Sequence, residues 1–314
     1  MHFYLPIALT SISLPLVLGL GLVVGLLSGL FGVGGGFLMT PLLIMIGIPP
    51  TVAAATDSLQ IVGASTSGTF AHWRLGNVDF KMGMYLLIGG FVGGLAGVQL
   101  IKVLRLMGNA DFVIKITYVL MLGIVGSYMF VESLNALKRA RRAKQSQTTV
   151  KTSTKSRKES GFIKFMKGLP FQTRFNKSGV THSALLVVFL GMFVGVLAAI
   201  MGVGGGFLMV PVMIYLLRMP MHVVVGTSLF QILFTCIEVS FLQSYINHTV
   251  DFILAILLLA GSTFGAQIGT KLGKKLHGDQ LKILLAMIVL VVTAKIMLDL
   301  LIEPSVLLSL KGGH

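Results

Sequence analysis

Gly32-Val33-Gly34-Gly35-Gly36-Phe37-Leu38-Met39 is the stretch that decides the fold, because the chain contains it twice. Gly202-Val203-Gly204-Gly205-Gly206-Phe207-Leu208-Met209 repeats it at an offset of 170, and a proline follows each copy two places on, at Pro41 and Pro211. A repeat of this length within 314 residues marks a duplicated architecture. Each copy lies inside an apolar run, from about Leu14 to Ile48 and from about Leu185 to Leu217. Some 32 helical residues would reach roughly 48 Å, against a hydrocarbon core of roughly 30 Å, so one straight spanning helix does not fit. Glycine loses the most entropy on being fixed in a helix, so the helix is expected to break at the motif and restart near Phe37. A break at membrane depth frees amide N–H groups, which is tolerated only where protein, water or a ligand satisfies them. The restarting half-helix then points its positive end into that space, an arrangement suited to an anion. Close helix packing is the other use of such glycines; it asks for small residues four apart and does not need three in a row.

Composition sets the class. The chain is 55% hydrophobic and 11% charged, against roughly 25% charged in soluble domains, which places it among polytopic membrane proteins. Its net charge of +15 is concentrated: Glu132 to Thr181 holds 13 Lys or Arg and two acids. Such a loop near transmembrane ends is expected in the cytoplasm, where it can also meet anionic lipid headgroups. It lacks the interleaved aromatics of a single-strand reader, so no nucleic-acid partner is expected. Cys236 is the one cysteine, with no partner for a disulfide or a zinc site, and no metal or cofactor is expected. The first apolar stretch is too long for a signal-peptide core and is expected to be retained. No nucleotide-hydrolysis motif and no Ser-His-Asp signature occurs, so neither a pump nor a catalytic centre is expected. His72 and Asp57, 15 residues apart on one helix, stand roughly 22 Å from each other, too far to cooperate as base and acid.

The rest of the chain repeats in register. Thr56 and Gln60 recur as Thr227 and Gln231 at an offset of 171, and Val78-Asp79-Phe80 recurs as Val250-Asp251-Phe252 at 172. Gly89, Gly93 and Gly97 match Gly261, Gly265 and Gly269, a ladder of small residues that reads as close helix packing. The expected fold is an all-α polytopic membrane protein of two homologous halves, residues 1–131 and 182–314, joined by a basic cytoplasmic linker, 132–181. Each half has about four transmembrane segments broken by the Gly-rich turn. Inverted halves place Arg218, Lys271, Lys274, Lys275 and Lys282 on the side of the linker, and parallel halves do not, so inversion is the expectation. Residues 162–171 can form an interfacial amphipathic helix or remain a disordered connector. Lys295 and Asp299, four apart on the last span, are expected to pair. His72, Trp73 and Arg74 end a span and read as interface anchors.

The duplicated Gly-Val-Gly-Gly-Gly-Phe-Leu-Met-x-Pro is joined by Ala-Thr-Asp-Ser-Leu-Gln at 55–60, Gly-Thr-Ser-Leu at 226–229 and Asn-Val-Asp-Phe-Lys-Met-Gly at 77–83. Together they resemble the TauE/SafE family of membrane proteins, the sulfite exporter group, over nearly the whole chain. The long basic linker departs from the family's usual shorter connection. The resemblance implies export or uptake of small anions such as sulfite, sulfoacetate or related organosulfur acids.

The residues lead to an anion by their own route. Backbone amides at Gly34, Gly35 and Gly36 and at Gly204, Gly205 and Gly206 supply donors without a fixed opposite charge. Gln60 and Gln231 are the first side-chain candidates for an oxyanion; the alternative is interhelical hydrogen bonding worth about 0.6 kcal/mol each. Thr56, Ser58, Thr227 and Ser228 follow, although hydroxyls can also satisfy themselves on the preceding turn. Glu238 and Asp57 are the carboxylates most deeply placed in the spans and are candidates for proton coupling, with Asp57 expected to be less desolvated because it lies near a helix start. The expected function is a secondary transporter for a small anion in the cytoplasmic (inner) membrane. The rivals are an anion channel and a membrane sensor signalling through the basic loop.

Overall fold

The two halves fold to one plan. The computed structural model describes residues 2–31, 36–145, 171–175, 177–273 and 278–301. In the first half a hairpin of β1 (His2–Leu5) and β2 (Thr10–Ser13) leads into α1 (Leu14–Phe31), α2 (Gly36–Met45), α3 (Pro50–Arg74), α4 (Phe80–Leu106) and α5 (Ala110–Gln145). The second half repeats this order with β3 (Gln172–Phe175), β4 (Val180–Ser183), α6 (Ala184–Met201) and α7 (Gly206–Pro211), then α8 (Met221–Leu242), α9 (Phe252–Gly273) and α10 (Gly278–Leu301). π-Helical turns at Val212–Leu216 and Gln243–Asn247 extend α7 and α8. Among the described residues, five helical stretches are long and apolar enough to cross a membrane: Phe80–Leu106, Ala110–Tyr128, Ala184–Met201, Met221–Asn247 and Phe252–Gly269. The architecture is an all-α polytopic membrane protein; the second apolar run is broken at its glycine motif, and in the first α1 ends at Phe31 and α2 begins at Gly36.

Three local expectations change. α5 runs on to Gln145, past the expected end of its span at Val131, and at 36 residues is roughly 54 Å long, more than a bilayer core needs. A hairpin that the sequence did not announce, Gln172–Phe175 with Val180–Ser183, precedes α6, and a matching hairpin precedes α1. Strands of four residues carry too little periodicity to be read from sequence, and what fixes them is packing: Leu5 and Phe175, equivalent by the duplication, are both fully buried. Lys295 and Asp299 are exposed, and no ion pair joins them among the described residues. The amphipathic alternative for 162–171 lies outside the described residues except for Phe171, which is exposed.

The halves exchange helices. α1 of the first half packs along α9 of the second, and α6 packs along α4 in the same way. Gly261 stands against Leu18 and Gly265 against Leu22, so α1 and α9 run in one direction; Gly191 against Leu86 and Gly195 against Gly90 give α6 and α4 the same relation. The equivalent helices α3 and α8 instead meet antiparallel, with Ile61 near Ile232 and Gly68 against Leu229. α5 and α10 are also antiparallel, Gly123 facing Thr293 and Gly126 facing Val289. The glycine ladder permits the exchange, since a Cβ at Gly89 would overlap the Val188 carbonyl oxygen and one at Gly265 that of Leu22. Helices this close gain dispersion contacts in place of a hydrophobic drive that lipid does not supply. Outward, α4 presents Ile88, Phe91, Val92 and Leu95 as exposed side chains, as a lipid-facing surface requires.

Gly89→Leu is expected to separate α4 from α6 and destabilise the fold by about 2 kcal/mol or more. The thermal midpoint of the purified protein in detergent reads this. Gly19→Ala, where a Cβ meets nothing within 4 Å, leaves the midpoint unchanged.

Candidate functional site

The second glycine motif turns the chain back on itself. Gly202, Gly204 and Gly205 have φ of +73°, +66° and +74°, the left-handed region that side chains rarely occupy. α7 then starts at Gly206, and its counterpart α2 starts at Gly36. α2 runs back along the first turns of α3, bringing Gly36 to Ile61 and Thr40 to Asp57. The two restarting helices meet: the rings of Phe37 and Phe207, equivalent by the duplication, are buried and stacked at 4.7 Å with an interplanar angle of 10°. Gly204 faces Cys236 and Ile232 of α8 and also Ile61 of α3, so elements of both halves close around this point. An apolar hollow lined by Met121, Leu197, Met201 and Val203 adjoins Gly205 and Phe207.

The side chains singled out from sequence separate into three groups. Thr56 and Thr227 tie the halves together: the Asp251 amide donates to Thr56 Oγ1 at 3.1 Å, and the Asp79 amide donates to Thr227 Oγ1 at 3.0 Å. Asp79 and Asp251 in turn accept from the third amide of their own helices, Met82 and Leu254, as N-caps. Ser58 donates to the Ala54 carbonyl at 3.2 Å with the Gly202 carbonyl at 3.3 Å, and Ser228 donates to the Val225 carbonyl at 3.1 Å. Gln60 Nε2 donates to Ser262 Oγ at 2.7 Å, while Gln231 Nε2 donates to Thr235 Oγ1 at 3.1 Å and its Oε1 is buried without a partner. Gly34 and Gly35 lie outside the described residues; Gly36, Gly204, Gly205 and Gly206 are all buried at the meeting point.

The third group is the two acids, and their order reverses. Asp57 is fully buried, because α2 folds back over the helix start that was expected to leave it solvated. Its Oδ2 accepts from Thr40 Oγ1 at 2.7 Å, and its Oδ1 has no partner. Glu238 is half-buried on the face of α8 towards α4, where its carboxyl lies against Gly94. Three residues around Asp57 escaped the sequence reading: Thr40, Cys236, and Tyr118, whose hydroxyl donates to the Met201 carbonyl beside the second motif. A signal was present for Thr40, and it matches one at Asp57. The duplicated stretch departs from itself at Thr40, where the other copy has Val210, and at Asp57, where it has Ser228. Those two departures touch in the structure.

Five spanning-capable helices, a twofold repeat with broken segments meeting inside the protein, and buried polar atoms at the meeting point define the class as a polytopic membrane transporter. The model of the sulfite exporter TauE/SafE family matches residues 17–296, and the chain belongs to this family. It is 25% identical over 298 residues to the probable membrane transporter protein YunE of Bacillus subtilis (strain 168), covering 91% of this chain and 98% of that protein. With the probable membrane transporter protein YjnA of the same organism it is 28% identical over 273 residues, 87% of this chain and 95% of the relative. Sulfite exporter TauE/SafE family protein 2 of Arabidopsis thaliana is 34% identical over 108 residues, 34% of this chain and 24% of that protein. No solved structure matches the chain.

Thr227→Val keeps the shape of the side chain but leaves the buried Asp79 amide without its acceptor. A loss of about 1–3 kcal/mol is expected, and Thr227→Ser should recover most of it. Thermal midpoints of the two variants measured side by side decide the point.

Proposed function

We propose that the protein is a secondary carrier that moves a small anion across the cytoplasmic membrane at the point where the two half-helices meet. The anion is sulfite, sulfoacetate or a related organosulfur or carboxylate anion. The observation that carries this reading is the stacking of Phe37 on Phe207. It sets the start of α2 against the start of the second broken segment, inside the protein and away from lipid. The amides of Gly34 to Gly36 and Gly204 to Gly206 are the proposed donors, with Ser58 beside them at the Gly202 carbonyl. Gln60, Gln231 and Ser228 are proposed as further donors that would leave their present partners, and Thr56 and Thr227 hold the helices that carry them. Donors without a fixed positive charge suit a carrier, which must also release its ligand. Asp57 and Glu238 are the groups able to accompany the anion with a proton. The family description and the name of the Arabidopsis relative both contain the words sulfite exporter, which supports the choice of sulfite as first substrate.

The halves are proposed to be inverted about an axis in the membrane plane. Antiparallel contact between equivalent helices, α3 with α8 and α5 with α10, supports this, together with the parallel run of the exchanged pairs. In that arrangement Arg74, Lys81, Arg174, Lys177, Arg218 and Lys271 share the side of the basic linker, which the positive-inside rule assigns to the cytoplasm. Arg105 falls on the opposite side, where its guanidinium donates to the Asn247 carbonyl. A reporter fused after His314 is therefore expected outside the cytoplasm; a cytoplasmic reporter overturns the inverted reading.

Uptake of labelled sulfite into proteoliposomes, with and without an imposed pH gradient, tests the function. Saturable, gradient-sensitive uptake is expected in the unmodified protein and at least a tenfold loss in Gly36→Leu. The substituted side chain meets first the flexible end of Ile61 and then the Asp57 carboxyl, so it crowds the start of α2, and the thermal midpoint of the variant checks that it is folded. Uptake that never saturates identifies a channel, and no uptake by folded protein removes sulfite in favour of the other anions.

A further inference from the structure

We propose that Asp57 alone is the proton site of this carrier, and that its carboxyl and the transported anion exclude each other at the start of α2. The inference rests on the carrier reading and adds to it the coupling ion, the residue and the reason the two are linked.

Asp57 has the position of an anion already in place. The first residue of α2 is Gly36, and a Cβ built on it lies 3.6 Å from Asp57 Oδ2. The carboxyl thus stands at the positive end of a ten-residue half-helix, where a substrate anion would stand. Its single hydrogen bond comes from Thr40, one turn into the same half-helix, and the other oxygen is buried and unpartnered. A carboxylate out of water is tolerated when it is paired or neutralised. The elements packed against Asp57 bring polar groups to it but no charge. α2 offers Thr40, α5 offers the Tyr118 hydroxyl, α8 offers the Cys236 thiol, and the second glycine motif offers backbone. None of these is a cation, and no salt bridge to Asp57 exists among the described residues. Two ways of balancing the charge remain: the end of α2, or a proton.

Those two ways compete for one place. While ionised, Asp57 holds the end of α2 and repels a second anion from it. Once protonated, it leaves the half-helix end uncompensated, and the substrate anion takes that role. Anion and proton therefore bind together and cross together, and by linkage each raises the affinity of the site for the other by one factor. The second half carries no such group, since Ser228 stands where Asp57 does and Val210 where Thr40 does. One proton per cycle follows. Glu238, half-buried and with its own Oε2 unpartnered, lies against Gly94 in the middle of α4 rather than at the start of a half-helix.

Binding of sulfoacetate to the purified full-length protein, followed by calorimetry across the neutral and alkaline range, tests this with a probe whose own charge stays fixed there. The apparent Kd is expected to rise about tenfold per pH unit on the alkaline limb. Asp57→Asn and Asp57→Ser, the latter the residue of the other half, should bind with no such slope, and Glu238→Gln should keep it. Thr40→Val leaves the carboxyl in place and removes the hydroxyl that donates to it, so it should move the pH midpoint by at least tenfold in proton concentration. A flat profile in the unmodified protein overturns the coupling and leaves the carrier reading standing. The coupling is overturned equally by a slope that survives in Asp57→Asn, by one that vanishes in Glu238→Gln, by an unmoved midpoint in Thr40→Val, or by loss of binding in both folded Asp57 variants. Folded protein that binds neither sulfoacetate nor sulfite overturns the carrier reading itself, and the coupling with it.

Discussion

An amide freed from a helix inside hydrocarbon has no water to turn to, and each such group costs several kcal/mol. Everything unusual in this protein follows from meeting that constraint twice. The second apolar run stops at its glycine motif, and the chain there is enclosed by helices of both halves: Gly202 lies against Ala54 of α3 and Gly205 against Val194 of α6, while the start of α2 at Gly36 lies against Ile61. A half folded alone would present its broken helix to lipid. Enclosure by the partner half is what makes the break affordable.

The enclosure explains the exchange of helices. α1 lies on α9 and α6 on α4, so neither half owns a complete packing surface. The reciprocal bonds from the Asp251 amide to Thr56 and from the Asp79 amide to Thr227 fasten each N-terminal helix end of one half to the other half's polar helix. At the outer ends the symmetry lapses. Ser178 of the second hairpin donates both its amide and its hydroxyl to Asp79 Oδ2, at 3.1 and 2.6 Å. Its counterpart by the duplication is Ala8, and Asp251 Oδ2 is correspondingly buried without a partner. Asp79 itself is held by more polar contacts than Asp251. Lys177 adds a bond to the Gly76 carbonyl, and Lys81 one to that of Arg174.

Much of this was legible in the sequence, for a physical reason. Repetition survives as identical letters, and a glycine that prevents a backbone clash cannot be replaced, so the motif and the ladder both announced themselves. The break near Phe37 and the packing role of Gly89, Gly93, Gly261 and Gly265 followed from spacing alone. The partners of the polar residues did not. Thr56 and Thr227 were legible as buried hydroxyls, yet their bonds join residues 195 and 148 positions apart, and no local pattern encodes such a pair. Asp57 was misjudged for the same reason. Distance from a helix start measures solvation only when nothing folds back over it, and α2 does. The hairpins were missed because their strands are held by a few buried side chains, Leu5 and Ile12 in one and Phe175 and Ser183 in the other, and not by alternation.

The departures from repetition carry as much as the repetition. Ser228 lies eight residues along α8 from the Cys236 that neighbours Asp57, roughly 12 Å, so a second carboxylate there would add a repulsion of about 1.4 kcal/mol at an effective dielectric of ~20. The two carboxylates would also keep any anion from the space between them. A strictly symmetric duplication of Asp57 would therefore close the site that the broken helices create. With Ser228 in the second half, bonded to its own helix through the Val225 carbonyl, that side contributes no charge. The site then holds one negative charge at a time, either the carboxylate of Asp57 or the anion. The frame requires the two halves to match wherever backbone must be satisfied, and the chemistry requires them to differ at Thr40 and Asp57.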